Sequence, residues 1–231
     1  MGRLYLIRHG QASMMADDYD ALSEMGVAQS RVVGAWLARR GERFDHVVMG
    51  GLRRHAQTAQ ACLAELGELA APPAVDPDLD EYEADGMIGR LRPALAERAA
   101  MRAWLAAQPH PRKAFQAVFA EAFARWTAAA HPDDYAIAWA DFRARALAAV
   151  ERIAAVCGSG QNALVFTSGG PITGIVQHLL GVPDARAGDV HFVLYNAGIT
   201  ELLCRPGSLA LSYFNAIGPL EAAGREYLTY R

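Results

Sequence analysis

The sequence predicts an α/β fold, a three-layer αβα sandwich with a mostly parallel central sheet and a helical insertion over about residues 92–135. Three observations carry this reading. Strand-like and helix-like runs alternate twice between residues 3 and 66, the spacing of crossover helices between parallel strands. The run Ala163-Leu164-Val165-Phe166 is continuously apolar, as a strand covered on both faces should be. Residues 92–135 turn Ala-rich and helical, with no strand signal among them. At 231 residues, 52% hydrophobic and 20% charged, the chain has enough apolar surface for one sizeable core and reads as a single domain over residues 1–231.

In order, Arg3-Leu4-Tyr5-Leu6-Ile7 is the first strand, and it ends in Arg8-His9-Gly10. Gly10 lets the chain turn where a side chain would obstruct it. A cation and an imidazole are thereby presented at the carboxyl end of a buried strand, where open α/β sheets bind ligands. Residues 11–22 read as a polar loop. Ser23 caps a helix with Glu24 in its first turn; Ala28, Val33, Trp36 and Leu37 share one face, and Gly41 ends it. Residues 44–49 form a second strand, and Gly50-Gly51 turns it into a helix with Ala59, Cys62, Leu63 and Leu66 inward and a stop at Gly67. Residues 71–89 predict a short strand near Ala74-Val75, then an irregular acidic loop holding Asp76, Asp78, Asp80, Glu81, Glu83 and Asp85.

The helical segment is broken at Pro109, Pro111 and Pro132. It carries the apolar stripe Phe115, Val118, Phe119, Ala122, Phe123 and Trp126, which reads as packing. It is expected to pack over the sheet, either as a lid on the site or as a homodimer surface. Residues 141–157 form another amphipathic helix, with Phe142, Ala146, Val150, Ile153 and Cys157 inward. The buried strand at 163–166 ends in Thr167-Ser168-Gly169-Gly170-Pro171, where Pro171 suits the first helical position and the helix N–H groups face an anion. Residues 190–205 and 208–215 close the chain as two β-like runs around Pro206-Gly207, a hairpin.

A net charge of −3 argues against a nucleic-acid protein that relies on a large basic surface, while leaving room for a small local basic pocket. Cys62, Cys157 and Cys204 are odd in number and set in apolar surroundings, the pattern of reduced core thiols in a cytoplasmic protein. No run approaches the roughly 18 apolar residues of a membrane span, so no membrane partner is expected. The seven histidines show no ligand-like spacing, so neither a metal nor another cofactor is expected. Arg8 offers a planar fork of donors for phosphate oxygens, and His9 a neutral nitrogen nucleophile near physiological pH.

With these residues in place the sequence resembles the histidine phosphatase superfamily, the phosphoglycerate-mutase-like proteins. Leu6-Ile7-Arg8-His9-Gly10 is similar to the family signature in type and position. Leu52-Arg53-Arg54-His55-Ala56-Gln57-Thr58-Ala59 resembles its second arginine motif, with Gly50-Gly51 in place of the usual small polar pair. Leu79-Asp80-Glu81 resembles its acid segment, and residues 163–170 align with its second histidine motif. There the chain departs: Ser168 stands where the family usually has histidine before the Gly-Gly pair.

The resemblance implies a phosphomonoester hydrolase in which His9 attacks phosphorus and forms a phosphohistidine that water then cleaves. Arg8 and Arg54 would hold the phosphoryl oxygens. Glu81 would give a proton to the leaving alcohol and later take one from water. Gly10, Gln11, Ser13, Ser168 and Gly169 complete the expected substrate contacts, and the substrate would be a small phosphorylated metabolite. A polar loop explains Gln11 and Ser13 equally well, and Ser168 also fits a plain helix cap. Two nearby arginines should keep the His9 imidazole neutral, and a backbone carbonyl should fix its tautomer. Losing one transition-state donor at position 168 costs roughly 2.7–4 kcal/mol, about 10²–10³ in rate. A slow phosphatase is therefore expected. The alternatives are a catalytically impaired phospho-ligand-binding member of the family, a mutase, and a serine hydrolase at Ser168, which lacks the first glycine of a nucleophile elbow.

Overall fold

The computed structural model describes residues 1–12, 20–67 and 72–230, the Asp85 side chain excepted. Among the described residues the sheet has six strands: β1 (Gly2–Arg8), β2 (His46–Met49), β3 (Ala74–Val75), β4 (Asn162–Thr167), β5 (Ile199–Arg205) and β6 (Ser208–Ala216), in the order β3-β2-β4-β1-β5-β6. The pairs β1–β4, β2–β4 and β2–β3 are parallel, whereas β1–β5 and β5–β6 are antiparallel. The sheet is thus mostly parallel with an antiparallel edge, flanked by helices, as expected.

Side-chain alternation along the two central strands builds both outer layers. Leu4 and Leu6 of β1, with Ala163 and Val165 of β4, enter a core shared with α6 (Trp139–Val156) and α7 (Gly169–Leu180). Tyr5 and Ile7, with Leu164 and Phe166, enter the opposite core against α1 (Glu24–Arg39) and α2 (Arg53–Leu63). A strand buried on both faces must be apolar at every position, which is what 163–166 displays. Cys62, Cys157 and Cys204 are buried and free, and burial pushes the Cys62 thiol up to about 12.

Between the β3 and α6 segments lie α3 (Ala84–Leu91), α4 (Arg98–Ala106) and α5 (Pro111–Thr127). They enclose a third core in which Val118, Phe119, Ala122, Phe123 and Trp126 meet Met87, Ile88, Trp139 and Phe142. The Phe115–Trp126 stripe is therefore packing, as its spacing predicts.

Three elements differ from the sequence reading. Residues 84–91 are helical, where an irregular loop is expected, because Met87 and Ile88 have the third core to bury into. Residues 190–198 are not strand: α8 (Ala187–His191) and a turn precede β5, and His191 is buried against Phe123 with ring centroids 4.5 Å apart. Pro171 is the third residue of α7, not the first, which its missing N–H tolerates because the first four helical N–H groups have no intrahelical acceptor. Ser23 caps α1 as expected, its Oγ accepting from Gly26 N–H at 3.1 Å. No helix among the described residues is long and apolar enough to cross a membrane.

Candidate active site

Because β1 and β4 run parallel in register, Arg8 beside Thr167, their carboxyl ends emerge together. His9 N–H donates to Thr167 O at 2.9 Å, which fixes the residue after β1 against the end of β4. The chain then passes so close to α1 that a Cβ on Gly10 would lie 2.2 Å from the Gly26 carbonyl oxygen, a contact only glycine permits. Helix α2 is tied to the same point. Gly10 N–H donates to Thr58 Oγ1 at 3.1 Å, and the Thr58 hydroxyl donates to the Arg54 carbonyl at 2.7 Å.

These ties bring Arg8, His9 and Arg54 onto one cavity of about 400 Å³, whose lining also includes Gln11, Leu52, Glu81, Tyr82, Phe115, Phe119 and Asn196. His9 Nδ1 lies 2.8 Å from the Gly10 carbonyl oxygen. That acceptor requires the proton on Nδ1 and leaves Nε2 with its lone pair. Burial, then the guanidinium groups of Arg54 and Arg8, hold the His9 imidazole well below its usual 6.5, so the ring is neutral. Arg8 is aimed by donation to the Leu194 carbonyl, and Arg54 by Asp20, 2.7 Å from its Nη1. The cavity is thus lined by a neutral imidazole together with two guanidinium cations, an arrangement suited to attack on a tetrahedral oxyanion.

Glu81 reaches the cavity because Thr167 Oγ1 donates to the Leu79 carbonyl at 2.7 Å and pulls the acid segment onto the end of β4. Its carboxylate takes the Gly170 N–H at 3.0 and 3.2 Å. The anion expected at the N-terminus of α7 is thus, at Gly170 N–H, the carboxylate of Glu81. Ser168 holds the N-cap position, but its hydroxyl does not cap the helix. It lies 2.7 Å from Nε2 of His55, fully buried and off the cavity lining. Gly169 is likewise buried, and a Cβ there would lie 3.7 Å from Arg8 Nε. Ser13 lies outside the described residues. Among the described residues no group of three or more His, Cys, Asp or Glu side chains is placed to hold a metal.

Three residues to which the sequence assigns no role stand at or beside the site. Asn196, from the turn before β5, lines the cavity, and its side-chain amide donates to the His9 carbonyl at 3.5 Å. Asp80 accepts from Gly51 N–H at 2.6 Å. His55 has a ring centroid 6.0 Å from that of His9. Its place beside Arg54 in the second motif was the one available signal.

The family model of the histidine phosphatase superfamily (branch 1) matches residues 4–131 and 112–217. A 2,3-bisphosphoglycerate-dependent phosphoglycerate mutase of Methylobacterium sp. (strain 4-46) is 33% identical over 92 residues, 37% of this chain and 44% of that protein, so the match spans less than half of the relative's length. Among solved structures, a phosphoserine phosphatase mutant from Entamoeba histolytica in complex with phosphoserine superposes with a TM-score of 0.66 at 17% identity, covering 95% of this chain and 100% of that one. A phosphoglycerate mutase from Bacillus anthracis str. Sterne does so with 0.66 at 20%, covering 95% of each. A mycobacterial glucosyl-3-phosphoglycerate phosphatase complexed with VO3 gives 0.60 at 22%, covering 93% and 98%. At these identities the structural likeness is one of fold.

Proposed function

The chain belongs to the histidine phosphatase superfamily, and from that premise we propose that it is a phosphomonoester hydrolase acting through a phosphohistidine at His9. The observation that carries this reading is the tautomer: Nδ1 is committed to the Gly10 carbonyl at 2.8 Å, which leaves Nε2 its lone pair in a ring that lines the same cavity as Arg8 and Arg54. Nε2 attacks the phosphoryl group in line with the ester oxygen. The P–N bond forms as the P–O bond breaks, and the arginines neutralise the equatorial oxygens. Glu81 gives the departing alkoxide its proton; in the second half it takes a proton from the water that cleaves the phosphohistidine. All of this chemistry runs on side chains. The substrate is a small phosphorylated metabolite, and Leu52, Phe115 and Phe119 on the cavity wall support a leaving group with an apolar face.

The test is to trap the intermediate. Rapid quenching of the full chain with a ³²P-labelled aryl phosphate should leave acid-labile label on wild type and none on His9→Asn, alongside turnover of a phosphomonoester panel. Equal turnover by wild type and His9→Asn overturns the reading. Phosphate binding without turnover makes the chain a phospho-ligand binder, and transfer of the label to an alcohol acceptor instead of water makes it a mutase.

A further inference from the structure

We propose that His55, held between Asp80 and Ser168, is the second imidazole of this site and supplies a positive charge beside the phosphoryl group carried by His9. The inference rests on the phosphohydrolase reading above. It begins from an unusual use of Ser168: the residue stands at the N-cap of α7, yet its hydroxyl ignores the helix and meets His55 Nε2 at 2.7 Å. On the other side of the ring, Nδ1 faces Asp80 Oδ1 at 3.5 Å, and Asp80 is itself fixed by Gly51 N–H at 2.6 Å. Arg145 anchors the Asp80 backbone carbonyl at 2.8 Å. The ring is fully buried, and its centroid lies 6.0 Å from that of His9. The family's imidazole after β4 has in effect moved to the start of α2, and a serine has taken the vacated position.

Gly50 shows that the chain makes room for this pair. A Cβ at that position would lie 2.3 Å from His55 Nδ1 and 2.6 Å from Asp80 Oδ1, so the small polar residue usual in the second motif would break the pairing. The departures at Gly50 and Ser168, unrelated in the sequence, thus have one structural cause.

The groups bearing on His55 are Asp80, Arg54, Glu81 and His9. Burial lowers its basicity, and Arg54 adds to this, whereas Asp80 and Glu81 oppose them; the net direction is down, so the ring rests neutral. Nδ1 sits at ion-pair distance from the Asp80 carboxylate, outside hydrogen-bond geometry; a proton placed there faces the carboxylate and lets Nε2 accept the Ser168 hydroxyl proton. A phosphoryl dianion brought beside His9 adds negative charge that favours the imidazolium. His55 then binds one proton from the buffer at Nε2, and the Ser168 oxygen becomes acceptor in place of donor. No other bond changes. Ser168 and Asp80 act as positioning residues in this scheme. A serine nucleophile is not supported, since Ser168 is fully buried and the neighbouring Gly170 N–H is taken by Glu81.

Two measurements on the full chain test this. His55→Gln keeps a side chain that hydrogen-bonds but does not titrate; it should lower kcat for an aryl phosphate about 10²- to 10³-fold with little change in KM. The double variant His55→Ala/Ser168→His should recover most of the loss shown by His55→Ala alone. Independently of turnover, ¹⁵N-histidine NMR of wild type should show His55 moving from the neutral to the imidazolium shift when orthovanadate is added near pH 7. Full kcat in His55→Gln, or a His55 signal that stays neutral with vanadate bound, overturns the inference while leaving a His9-dependent phosphatase intact. If His9→Asn matches wild type, the phosphohydrolase reading fails, and the NMR result alone then decides His55.

Discussion

Replacing Thr58 by valine isolates the tie on which the His9 geometry depends. The substitution keeps the volume and removes one hydroxyl from a fully buried side chain. That hydroxyl accepts from Gly10 N–H at 3.1 Å and donates to the Arg54 carbonyl at 2.7 Å. The carbonyl keeps its helical partner, but the Gly10 N–H is left without its acceptor, a loss of about 1–3 kcal/mol. For a chain of this size that lowers Tm by roughly 2–12 °C. The functional effect should be larger than the stability effect suggests. Gly10 carries the carbonyl that fixes the His9 tautomer, and a displacement of about 1 Å at a reacting group costs on the order of 10² in rate. Thr58→Ser is the control: it loses a buried methyl, about 1 kcal/mol, and keeps the hydroxyl. Urea unfolding and aryl phosphate kinetics on the three proteins give the comparison. Thr58→Val should lose kcat and Thr58→Ser should keep it; equal kcat in the two would refute the argument that Thr58 orders the nucleophile.

Arg54→Lys retains the charge and loses the planar fork; losing about 1.5–3 kcal/mol of charge-assisted hydrogen bonding should lower kcat/KM roughly 10- to 100-fold, read from initial rates. His9 is held well below 6.5, so the acid limb of the kcat/KM profile assigned to it should fall below pH 6.5, and a limb due to His9 at or above that value would contradict its burial between two cations. Stability should follow the same sign. His9 and His55 both have lowered folded values, so the unfolded chain binds more protons as pH falls below about 6.5, and the urea midpoint should decline from there downward and stay flat above. Gly10→Ala places a Cβ 2.2 Å from the Gly26 carbonyl oxygen and should cost about 1–3 kcal/mol together with most of the activity, seen by denaturation and assay on the same sample.

Much of the molecule was legible because it is local. The β-prone run from Arg3, the Ser23 cap, the apolar run before the Gly-Gly pair and the hairpin at Pro206-Gly207 each depend on neighbours within a few residues, and each stands where its pattern puts it. The helix at 84–91 is not legible in the sequence because the segment is short and acidic at one end; only the packing of Met87 and Ile88 against α5 makes it stable. The α7 N-terminus does meet an anion, but which anion is decided by the tertiary structure. A helix N-terminus signals that an anion is welcome, not which one, and Glu81, distant in sequence, takes the place.

The sequence by itself determined the class of fold and the placing of Arg8 and His9 at the end of the first strand and of Arg54 at the start of the second helix, since these rest on strand periodicity and on motifs whose residues are adjacent. Only the tertiary structure decided what surrounds that histidine. His55, Asp80 and Ser168 meet because β2 and β4 pair in parallel, because α2 follows the Gly50 turn, and because Thr167 draws the acid segment inward. No one-dimensional spacing encodes a contact between side chains 113 residues apart; it exists once the sheet register has been set and burial leaves each polar atom to find a partner nearby.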